Sequence, residues 1–574
     1  MTATPAEEMA KMTIKTAVPA PPKLAKGKKG APRKVVTNSF LASLKPNTPF
    51  FLHDCRIYAV FDRKGEEKLK EVTKQTRDDF LEQDRKSAAI QAYLAIRTTG
   101  ALKGDTFYDR AALLITLQEI AECKAGGEFR TTLTSKTAPK LFALESIKEA
   151  KEVRIVIKKA ADSYQVTSND LASTNEATRK ALLSVVNLAT SQALFEKTED
   201  FVVYGNGNAF LLEPEQHGFR TFDVGTADKY GGVGLTKGAR FVEGAGGKPA
   251  AAVTVDVKKT AFHKDYEVVA DKLRNNGCDG HPGEATQVIA GLKALVWYSG
   301  IPAKEQKARV ITIGMVSNER VKDVVFSDAN GKRATLPQYI LAKYKTQIKN
   351  PNAFVIVDKY EQNKYSPECL RIAPNQRVKS ENQQPAVIEK LIRESASLPA
   401  KRQGETATLA KCLDAGANNA AQLKRGVTVD TAKPIEIEGR VLDAVKLGTG
   451  APAPLSVNGP WRQGRIAQAP LDRFSKWTVL HINNGADPDN LGATTAQSLV
   501  KYARDIGYNI QMALSVVSVR LEPNQEAQLE QIFEHETKNG SQFILVICNA
   551  RIKNHGLIKL LEIKYDVVTE QYTN

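Results

Sequence analysis

The sequence predicts an α+β multidomain protein. It has an α+β N-terminal domain, a small β-barrel-like domain in the middle, and an incomplete Rossmann-like α/β unit at the C-terminal end. Three observations lead there. The 574 residues are enough for about four domains. Residues 266–400 set short strand patterns around two brief helices. Residues 471–574 alternate strand and helix patterns, as a parallel sheet requires. Hydrophobic residues make up 42% and charged residues 25%, ordinary values for folded chains. The charge balance is less ordinary: 81 Lys and Arg against 64 Asp and Glu give +17. Such a surface suits a polyanion, nucleic acid first among them.

Residues 1–36 form a Lys/Ala/Pro tail with too few large apolar side chains to pack a core, and disorder is expected. Residues 37–215 read as the first α+β domain. CRIYAVF (55–61) and VRIVIKK (153–159) are strand-like. Helical spacing runs over 66–96, and residues 177–195 read as one long helix. FVVYGNGNAFLL (201–212) is a hairpin turning at Asn206-Gly207. Residues 216–265 read as a linker, with the glycines of YGGVGLTKGARFVEGAGG (230–247) as turns between strands. After it, Val253, Val255 and Val257 share one face of a strand. In 266–400, Asn330-Gly331 marks a turn, Thr335 and Pro337 start a helix over QYILAKYK, and Pro385 opens another. Residues 401–470 read as a polar linker with a strand over IEIEGRVL (435–442), and 471–574 as the α/β unit.

Several function classes are disfavoured. The six cysteines (Cys55, Cys123, Cys278, Cys369, Cys412, Cys548) show no C-x-x-C spacing, so no zinc site or disulfide framework is indicated. No metal or cofactor is expected, and reduced thiols point to the cytoplasm or nucleus. No apolar run approaches the ~18 residues of a membrane helix, and no secretory leader is evident. A nucleotide-using Rossmann enzyme would need a glycine fingerprint. G-x-x-x-x-G-K-[ST] is absent, and GNGNAF has Phe210 where G-x-G-x-x-G needs glycine. His535 sits in EHET, not H-E-x-x-H, and no G-x-S-x-G occurs, so no enzymatic activity is expected.

Two constellations remain. Tyr339, Tyr344, Lys345, Tyr360, Lys364 and Tyr365, followed by Arg371, Arg377 and Lys379, interleave rings with cations. Rings stack on unpaired bases or sugars and cations hold phosphate; alternatively the tyrosines cap a small core and the charges are solvated. The second lies at the C-terminal end. Ligands of open α/β sheets sit beyond the carboxyl ends of the strands, and a helix starting near Asn554 would point free N–H groups there. His555 and Lys559 are helical neighbours and Gln571 comes late in the next strand. Together they suit a terminal phosphate, although such polar pairs are also ordinary on a wet helix face.

With those segments in view, the chain resembles an Argonaute from about residue 50 onward. YGGVGLTKGARFVEG with VTVDVKKTAFHK is similar to the family's first linker. LPQYILAKYK, NKYSPECLRIAPNQRVK and IEKLIRESA resemble the PAZ domain and its exit. IEIEGRVL with GPWRQGRIAQAPLDRFSKWTVLHI resembles the second linker entering the MID domain. The resemblance implies a protein of RNA-mediated gene silencing whose partners are single-stranded small RNA, target RNA and silencing-complex proteins. PAZ would hold the guide 3′ end through Arg309, Tyr339, Tyr344 and Tyr365. MID would hold the 5′ phosphate through His555, Lys559 and Gln571. His555 stands where the family usually has a base-stacking Tyr, as in the worm-specific clade, similar members of which accept 5′-triphosphorylated guides; Lys553 lies nearby. Because the chain stops soon after Gln571, the resemblance also implies a partial MID domain and no PIWI domain, hence no target cleavage. The other reading is an RNA-free scaffold or competitor that keeps Argonaute protein contacts.

Overall fold

The computed structural model describes residues 27–573 except 64, 75–81, 145, 148, 161–163, 206, 245–246, 302–308, 328–332, 361–362, 380–381, 415–424, 443–475, 484, 486, 489, 509, 522–524 and 549–553. Asn206, Asn330-Gly331, Lys553, the tail through residue 26 and all of GPWRQGRIAQAPLDRFS therefore lie outside the described residues. The chain divides into two compact units, Lys34–Ile437 and Met1–Arg33 with Glu438–Asn574.

Within the larger unit, strand Pro49–Arg63 is the spine of one antiparallel sheet and pairs with Glu66–Glu71, Leu113–Thr116, Glu152–Lys159 and Gln165–Thr167. Helical spacing over 66–96 is only half realised, since the helix occupies Glu82–Thr98 and Glu66–Glu71 is a strand. Gly65, at φ +83°, reverses the chain, and pairing with the spine overrides the local helical preference. The expected helix over 177–195 is broken into Glu176–Ala189 and Gln192–Glu196. At the break, Thr190 and Ser191 turn their hydroxyls back onto the Val186 and Asn187 carbonyls, at 2.7 and 2.8 Å. The tail is also shorter than its composition implies: Ala31–Leu44 is a strand, with Phe40 and Ala42 buried.

A second sheet centres on the long hairpin Lys229–Glu243 and Pro249–His263. Here Gly231, Gly232, Gly234 and Gly238 are not turns but lie inside a strand. The reason is close packing. A Cβ on Gly234 would sit 2.1 Å from the Ala209 carbonyl oxygen of the neighbouring strand, so only hydrogen fits. Just before this hairpin a buried charge cluster forms. Lys272 Nζ lies 2.7 Å from Asp228 and 3.3 Å from Glu267, and Lys229 Nζ lies 2.8 Å from Asp228. The cluster ties the hairpin to helix Val269–Asn275.

Beyond that helix, five strands pair antiparallel in the order Lys364–Tyr365, Phe354–Asp358, Arg309–Arg320, Lys293–Val296, Leu370–Ile372. The 309–320 strand shifts register twice against its partner, after Ile313 and after Val316. A short hairpin, Val325–Ser327 with Arg333–Thr335, leads into helix Leu336–Tyr344. Pro385 opens helix Pro385–Ser395 as expected. A further helix, Pro399–Lys411, occupies the start of the segment read as a polar linker.

In the smaller unit, four parallel strands run in the order Ser515–Val519, Trp477–Ile482, Phe543–Cys548, Val568–Thr573. Trp477–Ile482 is buried at every position, as a central parallel strand covered on both faces requires. Leu480 and Ile482 pack with Phe533 and Leu561 on one face, and Trp477 and Val479 with Val500 and Ala503 on the other. Val568–Thr573 is an edge strand.

Candidate nucleic-acid interface

Helix Leu336–Tyr344 is fixed at both ends. Gln338 Oε1 accepts from the Thr335 N–H at 2.9 Å, and Thr335 Oγ1 accepts from the Gln338 N–H at 3.4 Å, a reciprocal cap. The helix stops at Lys345, whose φ of +53° is left-handed. Leu336 and Ile340, one turn apart, anchor it in a core with Val321, Val324 and Val355. Tyr339 and Lys343, also one turn apart, are joined by a 2.8 Å hydrogen bond from Lys343 Nζ to the phenol oxygen.

Beside this helix lies a cavity of about 330 Å³ whose lining includes Tyr298, Arg309, Phe326, Tyr339, Tyr344 and Tyr365. Tyr298 and Tyr344 are stacked, with centroids 3.7 Å apart and planes 4° from parallel. Tyr339 stands edge-on to Tyr344 at 6.1 Å, and Phe326 tilts against Tyr339 at 5.8 Å. The Arg309 guanidinium lies 5.9 Å from the Tyr365 ring, and the Lys343 ammonium 5.2 Å and 5.4 Å from the Tyr339 and Tyr344 rings. The Lys343 hydrogen bond holds the Tyr339 phenol below its ordinary range. Burial, then the neighbouring Tyr344, pushes the Tyr298 phenol well up. The fully buried Ser366 hydroxyl, also in the wall, has no hydrogen-bond partner among the described residues.

The structure thus brings Arg309, Tyr339, Tyr344 and Tyr365 to one cavity. The core-capping alternative also holds for Tyr365, which is 6% exposed and packs against Ile311 and Leu370. Tyr360 is absent from the lining and 46% exposed. Lys364 does line the cavity but pairs with Glu319 at 2.5 Å. Arg371 and Arg377 lie over Trp297 and Tyr204 instead. Tyr298, Phe326 and Lys343 escaped the sequence reading. Lys343 carried a signal in its one-turn spacing from Tyr339, whereas Tyr298 and Phe326 arrive from strand-like segments whose destination is tertiary.

At the other site, His555–Tyr565 is a helix that Asn554 precedes. Gln571 Nε2 donates to Asn554 Oδ1 at 2.9 Å, and Gln571 Oε1 lies 2.7 Å from His555 Nδ1. These two expected residues therefore meet. Lys559 is committed elsewhere: its Nζ donates to Glu562 at 2.8 Å and to the Thr569 carbonyl at 3.2 Å. Burial alone would raise the Glu562 carboxyl, but the Lys559 and Thr569 hydrogen bonds hold it below its ordinary value.

Residues 265–388 match the PAZ domain family model, and this range contains the whole aromatic cavity. Argonaute protein wago-4 of Caenorhabditis elegans is 24% identical over 571 residues, covering 93% of this chain and 57% of that protein. Argonaute protein wago-1 of the same organism is 25% identical over 492 residues, covering 79% and 49%. The chain therefore spans about half the length of these relatives. Among solved structures, Kluyveromyces polysporus Argonaute with a guide RNA aligns over 96% of this chain and 63% of its own, at 13% identity and TM-score 0.49. Drosophila Piwi aligns over 95% and 63%, at 14% identity and TM-score 0.36; superpositions this loose decide nothing about the sites. Among the described residues, no helix is long and apolar enough to cross a membrane. On its PAZ domain match and its worm relatives, the chain is similar to the Argonaute family and resembles its worm clade.

Proposed function

We propose that the protein binds single-stranded small RNA in RNA-mediated silencing, with the 3′ end in the aromatic cavity and the 5′ phosphate at His555, Lys559 and Gln571. Binding, not target cleavage, is the activity proposed. The observation that carries it is the gathering of four tyrosines, a phenylalanine and an arginine around one cavity of about 330 Å³ within the PAZ match. A strand terminus offers an exposed ring face and a phosphodiester. The cavity offers rings for the first and Arg309 for the second, with the Lys343 ammonium 5.2 and 5.4 Å from two of those rings.

Linear and circularised RNA of one sequence separate end recognition from general attraction to a basic protein. Tyr339 is 37% exposed, so its truncation leaves the core intact. A base–aromatic stack is worth ~1–3 kcal/mol. Tyr339→Ala should therefore weaken linear RNA about tenfold and leave circular RNA unchanged, as read by fluorescence anisotropy. Equal loss for both forms would refute end binding.

At the 5′ site, Lys559 must leave Glu562 to reach a phosphate. Exposed pairs of this kind hold by ~0.2–1 kcal/mol. Glu562→Gln should therefore strengthen the preference for 5′-phosphorylated over 5′-hydroxyl RNA by up to about fivefold, while His555→Ala weakens it. An unchanged preference in both variants would remove these residues from the site.

A further inference from the structure

A separate cavity, of about 260 Å³, lies in the larger unit between helix Glu176–Ala189, residues 109–113 and strand Lys229–Glu243. Lys237 is in its lining and only 8% exposed. The Lys237 Nζ donates to the Asn187 carbonyl at 2.7 Å and to Thr190 Oγ1 at 2.9 Å. Both partners are neutral, and Lys237 makes no ion pair among the described residues. Asp109 is the other titratable group among the described lining residues. One of its oxygens is already taken by the N–H groups of Ala111, Ala112 and Leu113, at 2.8, 2.8 and 2.9 Å. Leu113 and Leu188 give the cavity an apolar wall. Ser184 and Gly238, also in the lining, are half-buried, so the cavity reaches solvent.

A buried ammonium with only neutral partners is costly. Burial alone lowers Lys237 from 10.5 to about 7. At neutral pH roughly half of the molecules therefore carry a free amine there, and a desolvated lysine amine is a nucleophile. Acylation would remove the buried charge for good. The amide N–H can keep the bond to the Asn187 carbonyl, and a short acyl chain can lie against Leu113 and Leu188. An imine with an aldehyde is itself basic and would restore a buried cation, so the site favours acyl over carbonyl chemistry.

We propose that Lys237 is a covalent acylation site, modified by small activated acyl donors that enter this cavity. The donor class is an acyl phosphate or an acyl thioester. The amine nitrogen attacks the acyl carbon, and an N–C bond forms as the C–O or C–S bond breaks. Phosphate or thiol leaves with the bonding pair, and the proton on nitrogen passes to water. No RNA takes part, so the site stands apart from end recognition.

The test exposes the full chain briefly to acetyl phosphate or to acetyl-coenzyme A and reads each lysine by peptide mass spectrometry. Exposed Lys258 is the internal reference. At pH 7 Lys237 should acetylate about tenfold faster than Lys258, since so little of an ordinary lysine is deprotonated there. Its rate should level off above about pH 8, while that of Lys258 keeps rising. Unfolding the chain in urea should erase the difference. Gly238→Phe tests the cavity itself. A Cβ at Gly238 meets nothing within 4 Å, and an aromatic side chain suits a strand. The variant should slow Lys237 at least tenfold and leave Lys258 unchanged. Acetylation by acetyl phosphate alone assigns the site to acyl phosphates, by acetyl-coenzyme A alone to thioesters, and by both to activated acyl groups in general. Lys237 reacting no faster than Lys258 with either donor at pH 7 would overturn the proposal, as would an unchanged Lys237 rate in a folded Gly238→Phe variant.

Discussion

Asp228→Ala should destabilise the larger unit by about 3–5 kcal/mol, the range for removing one partner from a buried ion pair. Asp228 is 2% exposed and sits between Lys272, itself fully buried, and Lys229. It also accepts from Asn276 Nδ2 at 3.1 Å. Removing it leaves two ammonium groups in a buried pocket with, among the described residues, Glu267 as the remaining carboxylate of the cluster. Asp228→Asn should cost nearly as much, because it keeps the shape and strips the charge. The readout is amide exchange in helix Val269–Asn275, which reports this region without assuming that the whole chain unfolds together. A loss below about 1 kcal/mol would mean that the charges are solvated as cheaply as a surface pair.

The pH dependence has a defined sign. Burial alone would raise the Asp228 carboxyl, but the Lys272 charge and the hydrogen bonds of Lys229 and Lys272 hold it far below its ordinary value. A depressed carboxyl contributes stability above its unfolded value and loses it as pH falls through the folded one. The gap between wild type and Asp228→Ala should therefore be constant at neutral pH and close below about pH 4. His263 acts in a different window. Burial, then the Lys272 and Lys229 charges, lowers it from 6.5 to about 3, so in the wild type its contribution fades as pH falls from 6.5 toward 3.

Legibility in the sequence followed the range of the interactions. The helix over Leu336–Tyr344 was readable because its start is chemical and local: Thr335, Pro337 and Gln338 all lie within one turn. The central strand Phe543–Cys548 of the smaller unit was readable because burial on both faces leaves an unbroken apolar run. Gly234 misled because a glycine needed for a neighbour's carbonyl looks the same as one needed for a turn. Residues 66–71 misled because their strand exists only against the Pro49–Arg63 spine. The aromatic cavity divides the same way. Tyr339 and Tyr344 come from one helix and were found together. Tyr298 reaches them from about forty residues upstream, and nothing local to ALVWYSGIP announces a stacking partner.

Gly300→Ala should disable the aromatic cavity without touching any ring. The Gly300 N–H donates to Thr346 Oγ1 at 2.9 Å, and Thr346 in turn donates to the Tyr344 carbonyl at 3.1 Å. Here the segment carrying Tyr298 meets the end of the helix carrying Tyr344. A Cβ on Gly300 would lie 2.1 Å from the Lys345 carbonyl oxygen and 2.6 Å from that of Tyr344. Both obstacles are backbone, and Lys345 already holds a left-handed conformation with little freedom to move. The two segments must part, and a stack closed to 3.7 Å between Tyr298 and Tyr344 opens with them. Overpacking of this kind costs ~1–3 kcal/mol; carried into binding, it corresponds to a loss of about fivefold to a hundredfold for linear RNA. Circular RNA should bind as before, and the near-ultraviolet circular dichroism of the tyrosines should fall while the far-ultraviolet signal holds. Gly280→Ala is the control, since a Cβ there meets nothing within 4 Å. If Gly300→Ala kept linear RNA affinity while the tyrosine signal fell, the stack would be a packing feature and the 3′ end would be held by the cations alone.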